Sequence, residues 1–129
     1  MTPETTYPSY SYRPANRTIG ERAAARVGDV VELNACPDLT WITVKTQHSF
    51  YDIVVITGDT GEVMVRGGSL FPEFRHAIVT ASLFGGIAVL PRTIAVGLNL
   101  EFLVDGASVI TSRVQAISQL NLPVVEGGA

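Results

Sequence analysis

His48, Asp52, Glu73 and His76 are the side chains whose types could serve acid–base chemistry or hold a metal ion. Glu73 and His76 stand three residues apart, a spacing that shares one face of a helix. Pro72 and the run Ile78-Val79-Thr80 predict a loop entering a strand there instead. Two histidines on separate segments then read as surface residues, so no catalytic residue, metal or cofactor is expected. Cys36 sits beside Pro37 with no basic neighbour to activate it, which predicts a buried structural thiol. As the one cysteine, it cannot form an internal disulfide, and a reducing compartment fits. Arg13 and Arg17, and again Arg22 and Arg26, have Arg-x-x-x-Arg spacing, and paired guanidiniums bind phosphate in bidentate fashion. Gly67-Gly68-Ser69 and Gly85-Gly86 could turn N–H groups toward an anion, but neither leads into a helix. Their expected role is to admit positive φ at tight strand exits.

The elements that must position these residues divide the chain in three. Residues 1–17 hold Pro3, Pro8 and Pro14 with Tyr7, Tyr10 and Tyr12 and lack any periodicity, which predicts an extended arm. A frayed tail without a role is one reading of it, while three tyrosines within six residues also suit a self-association arm, because flat amphipathic rings gain contact area at low entropic cost. Thr18 and Glu21 have capping-box spacing ahead of Arg22-Ala23-Ala24-Ala25-Arg26, so a short helix is expected at about 19–27.

From Gly28 onward, short β-branched runs are punctuated by Gly, Asp, Asn and Pro, the pattern of an all-β sandwich or barrel. Strands are expected at 30–35, 41–46, 51–57, 62–66, 75–83, 98–104 and 109–117, with a break at Gly85-Gly86. The continuous Ile53-Val54-Val55-Ile56 predicts burial on both faces. Gly58-Asp59-Thr60-Gly61 and Asp105-Gly106 are hairpin turns. The expected fold is therefore a small barrel or sandwich of seven to eight mostly antiparallel strands, a single domain over 18–120 with a frayed tail at 121–129.

Three resemblances bear on function. Asp59-Thr60-Gly61 is similar to the triplet that carries the catalytic carboxylate of aspartic peptidases, which pair two such aspartates. The likeness stops at the triplet, since Thr57-Gly58 precedes it and Glu62 follows, and a hairpin turn is the reading kept. The arginine pairs with Thr80-x-Ser82-x-x-Gly85 resemble the signatures of PilZ domains. That likeness implies a six-stranded barrel in which Arg22, Arg26, Ser82 and Gly85 bind cyclic di-GMP. Residues 62–118 look like a group of uncharacterised small bacterial proteins. The shared elements are Gly67-Gly68-Ser69-Leu70-Phe71-Pro72-Glu73-Phe74, Ser82-Leu83-Phe84-Gly85-Gly86, Val96-Gly97-Leu98-Asn99-Leu100-Glu101-Phe102 and Thr111-Ser112-Arg113-Val114-Gln115-Ala116-Ile117. This third likeness implies a single bacterial domain and no particular activity.

Composition narrows the partners. Apolar residues make up 47% of the 129 and charged residues 16%, which excludes disorder of the whole chain. A net charge of −3 argues against general nucleic-acid binding. Residues 1–26 nevertheless carry four arginines against two glutamates, while the rest carries five basic and ten acidic side chains, so anion binding would belong to the N-terminal segment. The N-terminus lacks the pattern of a secretory signal and no run is long enough for a membrane span, so a soluble cytoplasmic protein is expected. The function these residues suit best is a non-catalytic, self-associating β-barrel module with a structural or scaffolding role. A small-ligand, cyclic di-GMP-like binding domain is the alternative.

Overall fold

The computed structural model describes residues 25–120, and over that span the chain is all-β. Ten strands follow one another: β1 (Ala25–Gly28), β2 (Val30–Glu32), β3 (Trp41–Thr46), β4 (Phe50–Thr57), β5 (Glu62–Gly67), β6 (Phe71–Phe84), β7 (Ile87–Pro91), β8 (Thr93–Ala95), β9 (Asn99–Val104) and β10 (Ala107–Leu120). Every ladder is antiparallel, and β10, β3, β4, β5, β6 and β9 pair in that order until β9 meets β10 again. The hydrogen bonding thus runs around a ring. Closing a sheet on itself removes the exposed edges that a chain this apolar would otherwise present.

Two 14-residue strands make the closure possible. Ile78 of β6 pairs with Glu62 on one edge and Leu103 on the other, and residues 81–83 pair with both β7 and β9. So β7 takes over the edge that β5 leaves. β10 works likewise, giving Ala107–Arg113 to β9 and Val114–Leu120 to β3, with β1 added along its last four residues. Register shifts between Val79 and Ala81 and between Val114 and Ala116 bend the strands where they change partners.

Alternation sends one face of each strand inward. Ile42 and Val44 of β3, Ile53 and Val55 of β4, Val63 and Val65 of β5, Val79 of β6 and Leu100 and Phe102 of β9 are all fully buried. Tyr51, Phe71 and Phe102 meet with ring centroids 5.9 to 6.4 Å apart in edge and tilted arrangements. The β2–β8 pair adds Val31 and Ile94 to the same core, and the 3₁₀ turn after β2 adds Leu33. It is tied on by Leu33 N–H donating to the Arg92 carbonyl at 3.0 Å and by Ser82 Oγ donating to the Thr93 carbonyl at 2.6 Å.

The hairpin turns fall where turn chemistry places them, and Asp105 and Gly106 both adopt positive φ (51° and 81°), as a type I′ turn requires. Other expectations need correction. The helix expected at about 19–27 is strand over its final residues, because Ala25–Gly28 pairs with Ile117–Leu120 and ladder hydrogen bonds replace those of a short, marginal helix. Its earlier part, the arm at 1–17 and the tail at 121–129 lie outside the described residues. The strand expected at 30–35 ends at Glu32, and Leu33–Ala35 form a single 3₁₀ turn. Phe71 and Pro72 open β6 rather than belonging to a loop. Val54 and Ile56 are half-buried, so the outer face of β4 is screened but not sealed. Among the described residues, no helix is long and apolar enough to cross a membrane.

Candidate functional site

The residues singled out for acid–base or metal chemistry take separate partners. Asp52 on β4 accepts from Arg66 at 2.9 Å and from Thr43 Oγ1 at 3.3 Å. His76 on β6 contacts Glu62 at 2.6 Å, with both side chains exposed. His48 lies in the β3–β4 turn and Glu73 is exposed on β6. Among the described residues, no three His, Cys, Asp or Glu side chains gather closely enough to hold a metal ion. Cys36 is buried, and burial pushes its thiol pKa up, away from the reactive thiolate. Asp59 occupies the exposed β4–β5 turn, where Gly61 N–H closes onto the Gly58 carbonyl at 3.2 Å.

The residues of the ligand alternative are spread differently from one another. Ser82 is fully buried and its hydroxyl is spent on the Thr93 carbonyl, whereas Gly85 sits in the exposed β6–β7 turn. Arg26 belongs to β1, opposite Gln119. Arg22, Tyr7, Tyr10 and Tyr12 lie outside the described residues.

Three surface features were not singled out in the sequence. On the outer face of β3–β6, Phe74 meets Trp41 edge-on at 5.8 Å and lies 4.4 Å beneath the Arg66 guanidinium. The rings come from β3 and β6, with β4 and β5 between them, so only the register of three ladders brings them together. Further along, Glu101 of β9 accepts from Ser108 Oγ at 2.5 Å and from Thr80 Oγ1 at 2.6 Å. Those two bonds, Ser108 first, favour the ionised form and lower the Glu101 pKa below the ordinary carboxylate range against a slight opposing effect of burial. Because the pKa is depressed in the fold, the stabilisation is present above the unfolded-state pKa and fades as pH falls through the folded one. Solvent screening keeps it small at so exposed a site. In a carbon-detected NMR titration, Glu101 is expected to titrate below the ordinary value for a glutamate, and Ser108→Ala to raise it toward that value. An unchanged midpoint in Ser108→Ala would refute this account.

The third feature is apolar. Among the described residues, β7 ends the sheet order, pairs only with β6, and has every residue exposed. β9 stops pairing at Leu83, opposite Asn99, so Phe84, the Gly85-Gly86 turn and Ile87 project past the ring. Phe84 is 63% exposed and Ile87 69%, values more usual for charged residues. Register assigns the faces. Ser82 turns inward and stands opposite Leu90, and Phe84, two residues on, stands opposite Ile87. Phe84, Ile87 and Leu90 therefore share the core-side face, carried beyond the core. The signal in the sequence was the run from Ala77 to Pro91, fifteen residues without an ionisable side chain around a Gly-Gly turn. Comparison of the chain with protein-family models, curated proteins and solved structures gave no match.

Proposed function

We propose that this protein is a non-catalytic, self-associating β-barrel module with a structural or scaffolding role. The observation that carries the reading is the apolar β6–β7 hairpin standing clear of the hydrogen-bonded ring, since contiguous exposed apolar surface marks interaction sites. The distribution of charge supports it. Asp52 with Arg66, His76 with Glu62 and Arg75 with Asp105 form surface pairs across neighbouring strands or hairpins, an arrangement that decorates a sheet rather than converging on a substrate. The arm contributes in this reading, with Tyr7, Tyr10 and Tyr12 as large contacts and Pro3, Pro8 and Pro14 lowering the ordering entropy lost on docking.

Light scattering on the full chain at tens of micromolar is expected to give a mass above the 13.8 kDa of one copy. Deleting residues 2–16 is expected to leave a β-type circular dichroism spectrum while lowering that mass. A full-length monomer would overturn the reading. An undiminished mass after the deletion would remove the arm from it.

A further inference from the structure

We infer that the β6–β7 hairpin is a homotypic contact. The core-side face of the hairpin in one copy, Phe84, Ile87 and Leu90, packs on the same face of a second copy about a twofold axis. This rests on the self-association proposed above and names the surface and the occupant.

Charge places the contact at the hairpin. Each chain carries a net −3, so two copies repel wherever their charged faces meet. The nearest ionisable side chains flanking the hairpin in sequence are His76 and Arg92. The hairpin itself therefore brings no ionisable side chain to the contact, and a charged partner would find none on it to pair with. Symmetry agrees, because a patch of one chemical kind is complementary to itself, and a twofold contact satisfies both copies at once.

The edge of β7 argues for packing of faces rather than addition of strands. Ser82 pairs with Leu90 and Leu83 with Ala88, which leaves Val89 as an extra residue that bends the strand, and Pro91 offers no N–H at its end. Both features blunt an edge against further pairing. The hairpin contact therefore pairs two copies instead of growing as a sheet, and the arm adds a contact of its own. Its strength follows from area. From their fractional exposures, Phe84, Ile87 and Leu90 present roughly 300 Å² per copy, so with the turn backbone the dimer buries on the order of 800 Å², the size of a weak, transient contact. Association in the micromolar range is expected.

Sedimentation of the full chain and of the 2–16 deletion, from about 5 to 200 µM, separates the possibilities. The hairpin dimer predicts that Ile87→Glu and Ile87→Lys each lower the mass of both forms, and that an equimolar mixture of the two variants restores it, because only a homotypic contact sets position 87 against its own counterpart region. Ile87→Cys is expected to give a covalent dimer on mild oxidation, whereas Leu70→Cys, equally exposed in the β5–β6 turn, does not. If the full chain associates but neither charge variant changes its mass, the hairpin inference fails while self-association stands. Loss of mass on arm deletion alone would assign the contact to the arm. A monomer throughout would overturn both. Should the charge variants fail to fold, as read by circular dichroism, the cysteine pair decides.

Discussion

Gly67→Ala is expected to destabilise the fold by about 3–5 kcal/mol, the sum of backbone strain and a steric clash. Gly67 closes β5 with φ 137°, a conformation that L side chains rarely adopt. A Cβ there would stand 2.1 Å from the Phe50 carbonyl oxygen and 2.8 Å from the Tyr51 Cα. These are backbone atoms in a ladder, Tyr51 pairing directly with Gly67, so no side chain can swing aside to make room. The strand must shift, and the ladders on both sides of β5 shift with it. Gly86→Ala is the control. It also has positive φ, 84°, but open space around the position, so it carries the backbone term without the clash and should cost about 1 kcal/mol. Thermal unfolding of the two variants should differ by more than about 8 °C at domain sizes like this one. Equal midpoints would show that the Gly67 site relaxes freely.

The other large effect is expected at Phe102. Its ring is fully buried and touches Tyr51 at 6.1 Å and Phe71 at 5.9 Å, joining β9, β4 and the start of β6. Truncation to Ala removes the largest fully buried side chain and leaves a void bounded by two other rings, whose own strands are held by ladders and cannot collapse inward. The cost of such a change is about 3–5 kcal/mol, a large share of the roughly 5–15 kcal/mol that holds a domain folded. Leu103→Ala, one residue on and facing out, should cost less than about 1 kcal/mol. Urea unfolding read by tryptophan fluorescence from Trp41 measures both. Similar midpoints would mean that the inward face of β9 is not the packed one.

Strand location and turn chemistry were legible because they are local. The alternation Leu98, Leu100, Phe102, Val104 is a property of consecutive residues, and the structure buries Leu100, Phe102 and Val104 while leaving Leu103 partly exposed. The pair Asp105-Gly106 carries its turn type in two side chains. Buried Cys36 was equally readable, since a lone cysteine without basic neighbours has only packing to offer.

What tertiary structure alone decided concerns partners far apart in the chain. The segment Ala25–Gly28 has helix-favouring neighbours, yet it is a strand because Ile117–Leu120 presents an open edge to it, and backbone pairing outweighs a propensity of a few tenths of a kcal/mol per residue. Nothing in the order of residues says that Trp41 reaches Phe74 or that Thr80 and Ser108 share Glu101, because those meetings depend on the register of several ladders. The hairpin shows the division most clearly. Its apolar composition was written in Ala77–Pro91, and periodicity reads such a run as core. Only the point at which β9 stops pairing, opposite Leu83, leaves Phe84 and Ile87 outside the ring, since burial depends on what lies across a residue and not on the residue itself.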